Sequence, residues 1–283
     1  MARVVTIDSI PESNSLAQIA VQDDVTETDA EVIERLRKRF AMLEDMARAV
    51  KKGDVRALIV SGAPGVGKSY GVETVLARHD VFANVAQDGK LKKYEVIKGA
   101  ITALGLYSKL YEYKDSKHIL VFDDCDSILL EDLSLNILKA ALDSSKKRVI
   151  CWNSNSHKLR DEGTPNSFEY NGGCIFITNI KFDHVRSKKL KDHLAALESR
   201  CHYLDLTIAT EREKMLRIKQ IVGDGMLDDY DFTEEEKQEI VDFVDVNKKK
   251  LREVSLRTVL KAADLKKSFG NAWQDYAGLT LIK

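Results

Sequence analysis

The sequence has little of what marks a secreted, zinc-binding or membrane protein. Its four cysteines lie more than twenty residues apart with no Cys-x-x-Cys pair, which argues against a zinc module and a disulfide framework. The N-terminal residues lack the apolar core of a signal peptide, and no run of about 18 apolar residues occurs. We therefore expect a cytoplasmic protein without a membrane span, whose cysteines are reduced. These are Cys125, Cys151, Cys174 and Cys201.

An excess of charge of either sign is also absent. Lys and Arg number 44 against 45 Asp and Glu, so the formal net charge is -1. A protein that coats DNA is usually strongly basic, so any contact with nucleic acid must be local. Internal repeats and low-complexity tracts are missing as well. With 283 residues, 44% of them hydrophobic, the chain can form one large domain or two smaller ones.

A complete phosphate-loop motif, Gly-Ala-Pro-Gly-Val-Gly-Lys-Ser, occupies residues 62–69. It follows an apolar run at residues 57–60 that predicts a buried strand, and helical apolar spacing follows it. Glycines in such a loop let backbone N–H groups face phosphate oxygens, and the next helix offers its positive end. Lys68 would reach the β- and γ-phosphates, and the Ser69 hydroxyl would ligate Mg²⁺. The predicted ligands are ATP and Mg²⁺, and the predicted nucleotide contacts are Gly62, Ala63, Pro64, Gly65, Val66, Gly67, Lys68, Ser69 and Tyr70.

A second motif, Ile-Leu-Val-Phe-Asp-Asp at residues 119–124, is four apolar residues ending in two carboxylates. A strand that ends this way places its acids beside the phosphates, so the pattern is typical of a Walker B element. Asp123 would hold the Mg²⁺ shell, and Asp124 would orient and deprotonate the attacking water. Asp126 is a competing acid of lower rank. The alternative is a strand that ends in a solvated acidic turn.

With these motifs the chain resembles the AAA+ ATPase family over about residues 30–270. The resemblance implies that residues 175–179, Ile-Phe-Ile-Thr-Asn, form the sensor-1 strand, with Asn179 positioning the lytic water. Ser-Arg-Cys at 199–201 lies where the family keeps its arginine finger, and Arg186 is a weaker candidate for that role. A finger completes the neighbouring subunit's site, so Arg200 implies a homo-oligomeric ring, a hexamer or a pentamer. The alternative is an arginine that pairs with an acid at a helix end.

The same resemblance makes Ser-Leu-Arg-Thr at 255–258 a sensor-2 helix start, with Arg257 directed at the γ-phosphate. Arg252 is close enough to be confused with it, and the alternative is a solvated basic helix face. One position departs from the family, which usually has Glu where Asp124 stands. The shorter side chain holds its oxygen farther from the water, so we expect slow turnover.

Strands that alternate with helices predict an α/β fold, the αβα sandwich of P-loop NTPases with a mainly parallel sheet, followed by a small all-helical lid domain. The predicted divisions are a partly ordered arm (1–28), a nucleotide-binding core (29–207) and the lid (208–283). Trp273, Tyr276, Leu279 and Leu281 should pack the tail onto the lid. The predicted strands are 57–60, 81–85, 94–97, 119–122, 148–152, 175–178 and 202–206. The predicted helices include one from residue 28 or 29 to Gly53 and others at 104–113, 130–142, 188–197, 210–222, 233–244 and 255–267.

Several substrates remain open. Ser-Arg-Cys is similar to clamp-loader subunits, and basic clusters at 146–148, 186–191 and 248–252 would contact phosphates, so DNA is one candidate partner. A protein substrate or recruiting partner is the other. Residues 98–105 occupy the family's pore-loop position and offer Ile101 and Leu104, but no aromatic residue. Residues 153–167 could form a hairpin that projects to the pore in either case, and 168–173 resemble phage- and plasmid-encoded AAA+ proteins. An ATP-gated scaffold with slow turnover is a third alternative.

Overall fold

The computed structural model describes residues 27–77, 93–154 and 156–283. Five parallel strands form one sheet in the order β2-β3-β6-β1-β7, and β4 pairs antiparallel with β5 in a separate hairpin. The predicted α/β fold with a mainly parallel sheet is confirmed. The predicted strand at 81–85 and nearly all of the predicted arm lie outside the described residues. The strands are β1 (Ala57–Ser61), β2 (Tyr94–Lys98), β3 (Ile119–Asp123), β4 (Val149–Cys151), β5 (Ser167–Glu169), β6 (Gly173–Thr178) and β7 (His202–Asp205).

Helices surround this sheet and make up the C-terminal region of the chain. No helix in the described ranges is long and apolar enough to cross a bilayer. Short 3₁₀ turns lie at Phe182–His184, Asp228–Tyr230 and Gly270–Ala272, and a π-helical turn at Val222–Met226. The α-helices are Asp29–Lys52, Lys68–Ala77, Ala103–Glu112, Ser127–Leu130, Asp132–Ala141, His157–Asp161, Lys188–Glu198, Glu211–Ile221, Glu234–Asn247, Leu256–Phe269 and Trp273–Thr280.

Side-chain caps fix several helix ends where the sequence predicts them. Helix Asp29–Lys52 begins with a capping box between Thr28 and Glu31, and Gly53 ends it with a φ of 87°. Ser255 accepts a hydrogen bond from the Thr258 N–H and so begins helix Leu256–Phe269. Both predicted starts and the predicted Gly53 stop are confirmed.

Two predicted elements differ from the structure in detail. The helix predicted at 130–142 is present as Asp132–Ala141, and Glu131, whose backbone is extended (φ -102°, ψ 124°), separates it from the short helix Ser127–Leu130. The strand predicted at 148–152 does not join the parallel sheet. It pairs antiparallel with β5 instead, and helix His157–Asp161 lies between the two strands in the chain.

Apolar side chains cover both faces of the sheet, as a parallel sheet requires. Leu58 and Val60 of β1 pack toward helices Asp29–Lys52 and Lys68–Ala77, whereas Ile59 belongs to the cluster on the opposite face. A third cluster holds the C-terminal helices together around Trp273 and also contains Leu281. Tyr276 and Leu279, predicted to pack there too, are 43% and 82% exposed. The domain boundaries at 28 and 207 stay predictions.

Candidate functional site

The loop between β1 and helix Lys68–Ala77 has the backbone that the phosphate-loop motif requires. Gly65 and Gly67 have φ values of +69° and +100°, which side-chain-bearing residues rarely adopt. A Cβ on Gly65 would lie 2.7 Å from the Cβ of Ser255, so the loop also fits closely against the C-terminal helices. Of the other predicted nucleotide contacts, Val66 is buried, Gly62 offers its carbonyl to Lys68, and Pro64 and Tyr70 are exposed.

Lys68 is a buried cation held above this loop, with 6% of its surface exposed. Its Nζ donates to the carbonyl oxygens of Gly62 (2.6 Å) and Ala63 (2.9 Å) and to Oδ1 of Asn179 (2.8 Å). Burial lowers the pKa of Lys68 to about 8, while the charges of Asp124 and Asp123 act in the opposite direction. The ammonium group therefore lies among acceptors that a phosphate could replace.

Ser69 and Asp123 present two oxygen atoms side by side. The Ser69 hydroxyl donates to Oδ1 of Asp123 over 2.9 Å. Burial raises the pKa of Asp123, and the bond from Ser69 opposes that effect. Mg²⁺ prefers oxygen donors and usually takes only one or two carboxylates, completing its shell with water and phosphate oxygens. The Ser69–Asp123 pair fits that ion, and the described residues contain no cluster of three or more metal-ligating side chains.

Lys98 and Glu73 adjoin this pair and were not predicted as site residues. Lys98 Nζ lies 2.8 Å from a Glu73 carboxylate oxygen and 3.7 Å from Oδ2 of Asp123. The Glu73 hydrogen bond raises the pKa of Lys98, against a smaller effect of burial. Lys98 therefore stays charged beside Asp123 and offsets part of its negative charge.

Asn179 joins Lys68 to Asp124. Its Nδ2 donates to Oδ1 of Asp124 (2.9 Å), while its own Oδ1 accepts from Lys68. The pairing of β3 with β6 places Asp123 opposite Ile177, so the ends of the two strands meet at this edge. Asp124 adopts a left-handed backbone (φ 52°), and its N–H donates to the carbonyl of Ile177. Three residues predicted from separate motifs thus form one hydrogen-bonded chain.

Asp126 is engaged elsewhere. Its Oδ1 accepts a hydrogen bond from the buried Thr178 hydroxyl over 2.6 Å, which ties the turn after β3 to the end of β6. This contact uses Asp126 to fix the strand ends, in keeping with its low rank as a water-activating acid.

The structure does not bring Arg200 to the site of its own chain. Its Nη1 donates to the carbonyl of Ala196, one turn earlier, and its buried Nε has no partner among the described residues. Arg200 forms no ion pair within residues 27–77, 93–154 and 156–283, and the same holds for the exposed Arg186. Neither alternative proposed for Arg200, a finger or a paired helix-end arginine, is completed inside one chain.

The C-terminal helices contact the phosphate loop directly. The backbone N–H of Leu256 donates to the carbonyl of Gly65 over 3.0 Å. After burial, Asp124 and Asp123, the positive charge of Arg257 is the next influence on the pKa of Lys68, and it lowers it. The backbone N–H of Arg252 donates to the carbonyl of Leu281. Arg257, one of the two sensor-2 candidates, therefore acts electrostatically on the phosphate-loop lysine.

Arg217 also borders the loop, and no motif in the sequence points to it. It lies on helix Glu211–Ile221 with its guanidinium against the ring of Phe40, 3.6 Å from the ring centroid. An arginine among the charged residues of an amphipathic helix is usually solvated, so only the packing of the two helices reveals its burial.

Comparison with known proteins gives one relative in sequence. No protein-family model matches the chain. An uncharacterized 36.7 kDa protein from the nrdC-mobD intergenic region of Enterobacteria phage T4 is 35% identical over 258 residues, which span 90% of this chain and 77% of the phage protein. This relative agrees with the phage-type resemblance of residues 168–173.

Two solved structures are similar to this chain at low identity and low TM-score. The ORC2 protein of Aeropyrum pernix in its ADP form is 16% identical, with a TM-score of 0.43, and the match covers 89% of this chain and 68% of that one. PCH-2 of C. elegans is 12% identical, with a TM-score of 0.35, and the match covers 87% and 66%. The assignment of the fold rests on the strand order and the motif positions of the chain itself. The chain belongs to the family of the phage T4 protein, and its fold is the α/β fold of the P-loop NTPases, with the phosphate loop between strand β1 and the helix that follows it.

Proposed function

We propose that this protein binds ATP with Mg²⁺ at the phosphate loop and hydrolyses it. The observation that carries the proposal is the chain of contacts from Lys68 through Asn179 to Asp124, beside the Ser69–Asp123 pair. A cation for the phosphates, oxygens for a metal and an oriented carboxylate for water are the parts that phosphoryl transfer to water needs. The site offers each of them in two adjacent hydrogen-bonded groups, Lys68–Asn179–Asp124 and Ser69–Asp123.

Each residue has a distinct task in this scheme. Lys68 exchanges the carbonyls of Gly62 and Ala63 for phosphate oxygens, and its charge offsets theirs. Ser69 and Asp123 would hold Mg²⁺, which neutralises charge on the phosphates when it is bound. Asn179 fixes the carboxylate of Asp124, which accepts the proton of the attacking water. Because Asp124 replaces the longer Glu, turnover is slow.

Arg200 acts on the site of a neighbouring chain in this proposal. Its half-buried guanidinium follows the end of helix Lys188–Glu198, forms no ion pair with a described carboxylate and keeps a buried Nε without a described partner, as a group that functions in trans would. The assembly is a ring, a hexamer or a pentamer, and residues 208–283 serve as a lid over the nucleotide. Light scattering with a non-hydrolysable ATP analogue tests this, and a chain that stays monomeric contradicts it.

DNA is the substrate that the surface favours. Residues 248–283 contain nine Lys and Arg against three Asp and Glu, in a chain whose net charge is -1. Leu251 pairs with Ile282, and the Lys283 N–H donates to the carbonyl of Lys250, so Lys250, Arg252 and Lys283 lie together. All three are exposed and form no ion pair with other described residues. Such a cluster matches the charge of a phosphate backbone.

An exposed aromatic pair lies on the same C-terminal helices. The rings of Phe269 and Tyr276 stack with centroids 3.9 Å apart, and each residue is 43% exposed. Bases of single-stranded nucleic acid stack on rings presented in this way. The cluster at 146–148 is a weaker candidate, because Arg148 is buried and donates to the carbonyls of Ala141 and Gly172.

The protein-remodelling alternative has less support. Ile101 and Leu104, the apolar residues of the expected pore loop, are half-buried against the core, and helix Ala103–Glu112 already begins there. Fluorescence anisotropy with labelled single-stranded DNA at low salt separates the two functions. Binding that weakens steeply with salt supports DNA. Absence of binding, together with ATPase stimulation by an unfolded protein, supports remodelling instead.

A further inference from the structure

Arg217 is a buried cation that forms no ion pair with any described carboxylate. Only 7% of its surface is exposed, and one face of its guanidinium covers the ring of Phe40. Nη1 donates to the side-chain oxygen of Gln220 over 2.9 Å, whereas Nε is buried and has no partner among the described residues. The negative charge of Asp224 acts on Arg217, but Asp224 is paired with Arg37, so the charge of Arg217 is only partly compensated.

Arg148, the other buried arginine in the described part of the chain, shows how the donors of a buried guanidinium can be satisfied within the protein. Arg148 donates to two backbone carbonyls and lies over the ring of Tyr170. Burial of a charge without matching acceptors is unfavourable, so such a group is usually completed by a ligand or a partner. Burial lowers the pKa of both arginines, to about 10 for Arg217, so what sets Arg217 apart is its unpartnered Nε.

The position of Arg217 indicates what that ligand is. Its Nη2 lies 3.8 Å from the point where a Cβ on Gly67 would stand, immediately before Lys68. The N–H groups of this part of a phosphate loop face the anion that the loop binds. A guanidinium matches phosphate oxygens with two parallel donors, more specifically than an ammonium group can.

We propose that Arg217 pairs with the phosphate chain of the bound nucleotide. The inference rests on the proposed function and adds to it a phosphate-binding residue from helix Glu211–Ile221, separate from Lys68 and Arg257. Because that helix belongs to the C-terminal region, the contact ties phosphate occupancy to the position of the helix. The stack on Phe40 holds the guanidinium in place before the ligand arrives.

The test uses the full chain and two probes, ADP and inorganic tripolyphosphate. Arg217→Gln should weaken the binding of both by a similar factor, about ten-fold or more, as expected for a lost charge-assisted contact. The thermal midpoint of the ligand-free protein should stay the same or rise, because an uncompensated buried charge is removed. Isothermal titration and differential scanning calorimetry supply the two readouts.

Arg212→Gln is the matched control. Arg212 lies on the same helix but is exposed and pairs with Asp29, so its loss should leave both affinities unchanged. Arg217→Lys serves if the Gln variant does not fold. Lysine keeps the positive charge but lacks the two parallel donors of a guanidinium. The affinity of this variant for ADP and tripolyphosphate should therefore fall between those of wild type and a chain without the charge.

Three results would overturn the inference. The first is a variant that binds both probes with wild-type affinity but has a lowered thermal midpoint, which means that the stack on Phe40 is structural. Arg217→Gln decides this, or Arg217→Lys if only that variant folds. Weaker binding of ADP with unchanged binding of tripolyphosphate means that Arg217 contacts the base or ribose. If wild type binds neither probe, the proposed function itself fails, and Lys68→Ala should then be indistinguishable from wild type.

Discussion

Asn179 shows how one side chain can serve two groups of opposite charge. Its amide oxygen accepts from Lys68 and its amide nitrogen donates to Asp124, so the cation and the carboxylate are held apart at fixed positions. While this bridge exists, Lys68 and Asp124 are linked through the amide and do not form an ion pair with each other. A phosphate that takes Lys68 would release one half of the bridge and leave the Asp124 half intact.

The identity of residue 124 sets the rate of hydrolysis. Asp124→Glu should raise the steady-state ATPase rate, because the longer side chain brings its oxygen closer to the attacking water. An increase of about ten-fold is expected for a general base moved into better geometry. Phosphate release at saturating ATP measures it, with Asp126→Glu as the control, since Asp126 is bonded to Thr178. A rate no higher than that of wild type removes the explanation for slow turnover.

Lys68 should make nucleotide affinity depend on pH. Its pKa of about 8 in the free protein means that the ammonium charge is lost as the pH rises through that value. Binding then requires uptake of a proton, so ADP affinity should fall by up to about ten-fold per pH unit above pH 8. Titration calorimetry at pH 7 and 9 measures the change, and Lys68→Met should show a flat profile.

The stability of the ligand-free protein should increase as the pH rises, whereas the nucleotide affinity decreases. The pKa of Lys68 is lower in the folded chain than the usual value near 10.4, so the unfolded state binds more protons between about pH 8 and 10. The contribution of Lys68 to stability therefore increases with pH in that window. The difference between wild type and Lys68→Met in urea unfolding isolates it. A difference that is constant with pH contradicts the assigned environment.

At the scale of elements, the phosphate loop packs closely against Ser255, the cap of helix Leu256–Phe269. Gly65→Ala combines a left-handed φ with a Cβ only 2.7 Å from the Cβ of Ser255. It should lower the free energy of unfolding by about 2 kcal/mol, since the φ alone costs about 1–2 kcal/mol. Chemical denaturation measures the loss.

The double variant Gly65→Ala/Ser255→Gly separates the two causes. Ser255→Gly alone should cost a few tenths of a kcal/mol, because glycine replaces a serine cap with little loss. In the double variant the clash disappears while the φ strain remains, so a coupling of about 0.5 kcal/mol or more is expected. If the losses in unfolding free energy of the two single variants simply add in the double variant, the helix shifts away and relieves the clash in Gly65→Ala without help from the second substitution.

The elements that sequence predicts well are those whose signals are local. Thr28, Glu31 and Gly53 fix a helix through contacts within a few residues, and they were found without tertiary information. Asp123 and Asn179 follow buried parallel strands, whose ends must share one edge of the sheet. The site could therefore be assembled from motif order.

The features that sequence missed depend on contacts between distant elements. The strand at Val149–Cys151 has the apolar pattern of the main-sheet strands, and only the fold shows that it pairs with β5 in a separate two-stranded sheet. Arg217 becomes buried only because the helix bearing Phe40 packs against its own helix. Tyr276 and Leu279 have the spacing of core residues but remain exposed on the C-terminal surface.

At the scale of the whole molecule, the proposed ring predicts that two inactive variants complement one another. Lys68→Ala lacks its own phosphate cation but keeps Arg200, whereas Arg200→Ala keeps an intact phosphate loop. In an equal mixture about one interface in four combines both intact halves, so about a quarter of the wild-type ATPase rate should return. The two variants assayed separately are the control. A mixture no more active than its parts contradicts a shared site.

The most direct test of the central claim is phosphate release from ATP with Mg²⁺ by the purified full chain, compared with Lys68→Ala. The proposed site predicts slow release by wild type, with a rate per chain that increases with protein concentration as subunits assemble, and none by the variant. Absence of release by wild type at every concentration, or equal release by Lys68→Ala, would contradict hydrolysis at this phosphate loop.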